Sequence, residues 1–312
     1  MKQRALLIAG PTASGKSGLA LDLAKRFGGT IINADALQIY DHLSILTARP
    51  RQAALGEAPH RLYGILPPAE ICSAARFVRL ARQEIAASLA QDRLPIVVGG
   101  TGLYLRGLSD GLADIPEIPA DIRDGARALM AQIGPERFHV ELKLRDPVAA
   151  SRIRPSDSQR LTRAFEVWSA TGRSLFDFHG AASDNAVIEW TKLALVPDRA
   201  ELYARIDRRF LDMMEAGALE EAARVRELDL APHLPAAKAL GLRPLINHLE
   251  GRIGRDEAIA QSQGETRRYA KRQMTWIRTQ MISWTGIETK DSETTYGRIR
   301  TFIEESGLTP RN

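Results

Sequence analysis

One stretch near the start constrains the fold of this 312-residue chain more than any other: ALLIAGPTASGKSGLALDLAKRFGG, residues 5–29. Its opening apolar run is too short for a buried helix and reads as a buried strand. The run breaks into Gly10, Pro11, Thr12, Ala13, Ser14, Gly15, Lys16 and Ser17, which fit the phosphate-binding pattern G-x-x-x-x-G-K-[ST]. Apolar residues at 19, 20, 23, 24 and 27 then have helical spacing, and Gly28-Gly29 stops that helix. Glycines let backbone N–H groups close around phosphate oxygens, and the helix N-terminus adds favourable partial charge. Lys16 is placed to reach a terminal phosphate and the Ser17 hydroxyl to ligand Mg²⁺. A plain glycine turn is the structural alternative. The loop alone leaves open whether it holds ATP or another phosphorylated molecule.

The same alternation continues. TIINAD (30–35) reads as a strand ending on a carboxylate, 73–91 as an amphipathic helix capped by Ser73, and LPIVVGG (94–100) as another strand. Strand, loop and helix in this order predict an α/β fold, a P-loop NTPase-like parallel sheet flanked by helices. Near residue 113 the pattern changes. LADIPEIPADI opens a helical stretch, DFHGAASDNA (177–186) reads as a loop, and TKLALV (191–196) as a strand returning to the sheet. The expected organisation is a catalytic core of 1–113 and 191–312, with an all-helical insertion at 114–190. The remainder reads as helical, ending in a polar tail after residue 287.

Composition narrows the class of function. Hydrophobic residues are 44% and charged residues 26%, and the net charge is +5, a mild excess that permits a polyanionic partner. Cys72 is the sole cysteine, so no intrachain disulfide forms. No C-x-x-C or close His pair suggests a metal site. No stretch approaches the ~20 apolar residues of a membrane span. The first apolar run leads straight into the phosphate loop, so it reads as a strand rather than a leader. These features point to a reducing, cytoplasmic compartment.

Three further features carry chemistry. Asp35 ends a buried strand at the carboxyl edge of the sheet, where ligands bind in open α/β folds. There it serves as a Mg²⁺ ligand or a general base, or, in structural terms, as a helix cap. Thr101, in GGTGLY (99–104), brings a hydroxyl to the same edge, although strand-to-helix turns often have this composition. Two basic stretches follow. Residues 150–174 carry Arg152, Arg154, Arg160, Arg163 and Arg173 against Asp157 and Glu166. Residues 265–281 carry Arg267, Arg268, Lys271, Arg272 and Arg278 against Glu265. At helical spacing Arg268, Lys271, Arg272 and Thr275 share one face, and Tyr269, Gln273, Trp276 and Ile277 another. A basic face suits RNA phosphates; the alternative is a solvated face with Trp276 in the core. Two such stretches favour a polyanion.

With these residues in view, the sequence resembles the tRNA dimethylallyltransferase family, enzymes that prenylate the adenosine next to the anticodon. The matching pieces include GPTASGKS, INADALQIY, TARP, PHRLYGI, SAARF, PIVVGGTGLYLRGL, RIRPSDSQRLTRAFEV, LYARIDRRFLDMMEAGALEEA and TRRYAKRQMTWIR, in family order from residue 9 to about 278. The resemblance implies a dimethylallyl diphosphate donor held by residues 10–17, with Mg²⁺ on Ser17. Lys16 then stabilises the leaving group, and Arg205 is the family arginine that also reaches the diphosphate. The resemblance makes Asp35 the base toward the adenosine N6 amine and lets Thr101 position Asp35 or the amine. It implies tRNA contacts from Asp35, Ala36, Leu37 and Gln38, from Gln159, Arg160, Leu161, Thr162 and Arg163, and from Arg123. The basic face with Arg268 and Arg272 is read as a further contact. The insertion would clasp the anticodon stem-loop, and the protein would act as a monomer. Ala36 stands where the family usually has Ser, Arg154 where His is usual, and Leu242 where an aromatic is common. An ATP-dependent small-molecule kinase and a non-catalytic RNA-binding NTPase are the competing readings.

Overall fold

The computed structural model describes residues 3–178, 188–289 and 292–305. They fall into two compact units, Met1–Ser109 with Asn185–Asn312, and Asp110–Asp184.

The first unit is built on a six-stranded parallel sheet. Its strands are β1 (Gln3–Ala9), β2 (Gly29–Asn33), β3 (His60–Arg61), β4 (Leu94–Gly99), β5 (Ile188–Pro197) and β6 (Thr285–Thr289). Their spatial order is β3-β2-β4-β1-β5-β6. The apolar run of the opening stretch becomes β1, central and flanked by β4 and β5, with Leu6 opposite both Ile96 and Thr191. Ala5 to Ile8 have no exposed surface, as expected of a strand covered on both faces. Helices α1 (Lys16–Phe27), α2 (Gln52–Glu57), α3 (Ala74–Ala90) and α4 (Gly102–Ser109) connect or cover the first strands. α1 has the expected limits, and Ser73 caps α3 by accepting from the Arg76 N–H at 3.1 Å. One core face joins Leu6 and Ile8 of β1, Leu19, Leu23 and Phe27 of α1, Ile96 and Val98 of β4, and Leu193 and Leu195 of β5.

The second unit is helical: α5 (Ala120–Arg145), α6 (Pro147–Arg152) and α7 (Ser158–Thr171). α5 breaks at Gly134-Pro135, where proline removes a helix donor. Phe138, Leu142, Ala149, Ile153, Leu161 and Ala164 form a separate core, with the Phe138 and Phe165 rings 5.0 Å apart. Asp146 and Asp157 cap α6 and α7.

After β5, helices α8 (Arg199–Glu215), α9 (Ala218–Glu227), α10 (Leu242–Leu249), α11 (Arg255–Gln280) and α12 (Ser292–Glu305) complete the first unit. β5 starts at Ile188, ahead of the expected 191, and most of the loop expected at 177–186 lies outside the described residues. The polar tail expected after 287 is corrected. Residues 285–289 add β6 to the sheet edge, and α12 buries Ile299 and Ile303 in the core. Arg300 holds Asp22 of α1 in a fork at 3.0 and 2.6 Å, and Arg26 pairs with Glu304 at 2.7 Å. No helix among the described residues is long and apolar enough to cross a membrane.

Candidate active site

The phosphate loop leaves β1 and enters α1 through two residues in the left-handed region, Ala13 (φ 63°) and Gly15 (φ 88°). Gly15 takes this conformation without a Cβ penalty and caps α1, so the free N–H groups of the first turn face the loop. Ser14 N–H donates to the Pro11 carbonyl at 3.2 Å, and the Lys16 ammonium donates to the same carbonyl at 3.1 Å. The Ser14 hydroxyl is buried with no partner among the described residues. Ser17 is exposed on the first turn of α1.

The loop is electropositive. Burial pulls the Lys16 pKa down to about 8, opposed by the charge of Asp35 and assisted by that of Arg209. Arg209, on α8, donates to the Thr12 hydroxyl; burial lowers its pKa and Asp35 raises it. Lys16, Arg209 and Asp35 are thus close enough to feel one another, two cations against one anion. Such a site gains from an added polyanion.

Arg205 is exposed, and it is Arg209, one helical turn later, that meets Thr12. A turn of α-helix advances about 5.4 Å, enough to separate the two arginines of ARIDRR.

The Asp35 side of the site is built at the ends of β2 and β4. Asn33 is fully buried and accepts from the Asp35 N–H at 2.8 Å. Its amide donates to the Asp35 and Leu62 carbonyls, both at 3.0 Å. Asp35 is thereby turned out of the strand. One carboxylate oxygen accepts from the Leu37 N–H at 3.0 Å, a local side-chain turn. The Thr101 hydroxyl accepts from the Ala36 N–H at 2.9 Å and also hydrogen-bonds Tyr269 of α11. Burial, with Asp35 nearby, raises the Tyr269 pKa, so the phenol stays protonated. Thr12, Asp35, Arg209 and Tyr269 form the polar side of one cavity, and Leu37, Leu46, Ile206, Phe210, Met213 and Leu240 its apolar side.

A buried carboxylate fixes one wall. Glu221 of α9, 1% exposed, accepts from the N–H groups of Ser44, Ile45 and Leu46 and from the Ser44 hydroxyl, each at 2.8 Å. Gln38 donates to the Thr47 and Ala48 carbonyls at 2.8 and 3.1 Å, so its amide hydrogens hold this loop. Leu37 lines the cavity, and Ala36 is held through its backbone.

The remaining expected RNA contacts lie on two surfaces. On α11, Arg268, Lys271, Arg272 and Thr275 are exposed, while Gln273, Met274 and Ile277 are buried. Arg268 and Arg272 join Arg226, Lys238 and Arg243 along a groove that also holds Asp229, Glu250 and Glu265. Arg272 sits 5.5 Å from the Tyr269 ring centre. Leu242, at the start of α10, is buried. In the helical unit, Arg152, Arg154, Gln159 and Arg160 line a surface depression at the start of α7. Arg123 and Arg163 are half-buried, and Arg163 pairs with Glu166 at 3.2 Å. Thr162 returns its hydroxyl to the Ser158 carbonyl at 2.8 Å. Leu161 is a correction: it has no exposed surface and packs in the helical core, so its side chain contacts no RNA.

Sequence reasoning did not assign roles to Arg209, Glu221, Tyr269 and Gln273. Only the last two left a signal, as members of the inward face of α11. Among the described residues no group of three or more His, Cys, Asp or Glu is arranged to hold a metal ion.

A parallel sheet whose first strand runs through G-x-x-x-x-G-K-S into a helix, with a carboxylate at the next strand end, defines the P-loop class of α/β proteins. Within that class the chain belongs to the IPP transferase family, whose model matches residues 38–280. It is 52% identical to the tRNA dimethylallyltransferase of Parvibaculum lavamentivorans over 98% of both chains. The full-length tRNA isopentenylpyrophosphate transferase of Bacillus halodurans is similar in structure, with a TM-score of 0.69 and 32% identity. That match covers 98% of this chain and 96% of the other. The fold is also that of a eukaryotic dimethylallyltransferase acting on tRNA, at a TM-score of 0.82 and 24% identity, covering 99% of this chain and 81% of that one.

Proposed function

We propose that this protein transfers a dimethylallyl group from dimethylallyl diphosphate to N6 of the adenosine 3′-adjacent to the anticodon in tRNA, releasing diphosphate. The observation that carries this reading is the cavity itself. It sets the phosphate loop and Arg209 beside Asp35 and adds an apolar wall of Leu46, Ile206, Phe210 and Met213. A short allylic chain is an apolar partner for that wall.

The amine nitrogen of adenosine attacks the allylic carbon as the carbon–oxygen bond to diphosphate breaks. The Asp35 carboxylate takes the proton the amine loses. Lys16, Arg209 and the loop N–H groups receive the charge that grows on the leaving diphosphate, and being fixed in advance they need little reorganisation. Thr101 and Tyr269 hold the Ala36 peptide, and with it the approach to Asp35. The apolar wall keeps water from the allylic carbon.

The donor set at the loop fits Mg²⁺. Mg²⁺ needs few protein ligands when phosphate oxygens and water complete its shell, and the exposed Ser17 hydroxyl is such a ligand. Bound there, the ion would neutralise diphosphate charge. Arg268 and Arg272 on α11, and Arg123, Gln159, Arg160 and Arg163 on the helical unit, supply contacts to the anticodon stem-loop. The protein works as a monomer in the cytoplasm, where its tRNA substrate is found.

Labelled dimethylallyl diphosphate incubated with tRNA tests this reading. Label is expected in the RNA, and Asp35→Asn is expected to slow transfer at least about 100-fold while still binding donor. ATP turnover on a small acceptor, with no label in RNA, would contradict it.

A further inference from the structure

Two pieces of chain far apart in sequence meet at the site, the phosphate loop and the turn after β4. One buried side chain joins them. Gln273 of α11, 5% exposed, accepts from the Thr12 N–H at 2.8 Å and donates to the Gly100 carbonyl at 2.9 Å. Both ends of the amide are used, and a flipped amide would set donor against donor and acceptor against acceptor. A Cβ at Gly100 would collide with Gln273 Nε2, so the turn is built around this side chain. Packing does not demand an amide here. A methionine fills a similar volume, and burying a polar group costs free energy unless both its partners are supplied. The neighbours of Gln273 act on the same two pieces: Arg209 holds the Thr12 hydroxyl and Tyr269 holds Thr101.

We propose that Gln273 is a positioning residue for the transfer, fixing the diphosphate-binding loop against the Gly100-Thr101 turn that orients the Asp35 segment. The inference rests on reading residues 10–17 as the donor site. Gln273 touches neither substrate. It acts through the Thr12 peptide on one side and the Gly100 peptide on the other. A donor displaced relative to the base loses rate steeply, because in-line attack tolerates little misplacement. Gln273 also faces away from the exposed arginines of α11, so RNA affinity does not depend on it. The signature is therefore a raised KM for dimethylallyl diphosphate and a lowered kcat, with an unchanged KM for tRNA.

The test uses the full chain and a double-mutant cycle of Gln273→Ala and Gly100→Ala. Calorimetric titration with inorganic diphosphate in the presence of Mg²⁺ reads the loop, and steady-state transfer reads alignment. Each single variant is expected to weaken diphosphate binding and to lower kcat about tenfold, with tRNA affinity within about twofold of the unaltered chain. The double variant is expected to be no worse than Gln273→Ala, since the added methyl then meets no amide. Gln273→Met fills the space without the two bonds and gives the same readout should the alanine variant not fold. Folded Gln273 variants that bind diphosphate and turn over like the unaltered chain would overturn the inference alone. An unaltered chain that binds no diphosphate would overturn the donor-site reading and this inference with it.

Discussion

At the scale of single residues the site is a balance of charge and burial, and Lys16 shows it best. Its pKa of about 8 arises mainly because burial disfavours the ammonium. The cation is present below that pH and is lost as pH rises through it. A diphosphate binds the cationic form, so donor affinity is expected to hold below about pH 8 and to fall by at most tenfold per pH unit above it. Lys16→Met is expected to remove most of the affinity together with this pH dependence. Titration calorimetry with dimethylallyl diphosphate across that range reads both, and a flat profile in the unaltered chain would contradict the role. Lys16, Asp35 and Thr101 were legible in the sequence because each sits at a motif or a strand end. Arg209 was not: Arg205 and Arg209 lie on one side of α8, and only the position of the helix along its axis decides which meets Thr12. Leu161 was misread for a related reason. A run of residues that matches an RNA-contacting segment includes, on a helix, side chains that must point inward.

At the scale of elements, periodicity was a good guide where the buried stripe is broad. α1 has five buried apolar positions at helical spacing, and its limits match those expected from the sequence. α12 buries Ile299 and Ile303 within a polar segment, too narrow a stripe to distinguish from a tail. The loop at 43–48 was no clearer, because its order comes from a partner about 175 residues away in sequence. Glu221, itself 1% exposed, accepts from three backbone N–H groups and one hydroxyl there. Glu221→Ala is expected to lose on the order of 3 kcal/mol, as three backbone N–H groups and a hydroxyl lose their acceptor at once. The same change should raise the KM for dimethylallyl diphosphate, because Leu46 and Thr47 line the cavity. Chemical denaturation measures the first effect and steady-state kinetics the second. Unchanged stability would mean that the loop keeps its shape without Glu221.

At the scale of the whole molecule, the α/β class and the helical segment between β4 and β5 were legible from the order of patterns. The division of labour within one helix was not. α11 turns Arg268, Lys271 and Arg272 to solvent, Tyr269 to the Asp35 cavity, and Gln273 to the phosphate loop and the Gly100 turn. Its outward charges are expected to act on RNA phosphates. Arg268→Ala with Arg272→Ala should weaken tRNA binding and reduce the slope of log affinity against log salt by about 2. A filter-binding series at several salt concentrations measures that slope, and an unchanged slope would return these arginines to a merely solvated face. In the proposed mechanism the phosphates held by residues 10–17 are there to leave, not to be transferred. The most direct measurement is mass analysis of nucleosides from tRNA incubated with the protein, Mg²⁺ and dimethylallyl diphosphate, with ATP in a parallel reaction. The mechanism predicts prenylated adenosine, at the position 3′-adjacent to the anticodon, in the first reaction and no modified nucleoside with ATP alone. Unmodified tRNA in the first reaction, from a folded protein that binds both substrates, would contradict it.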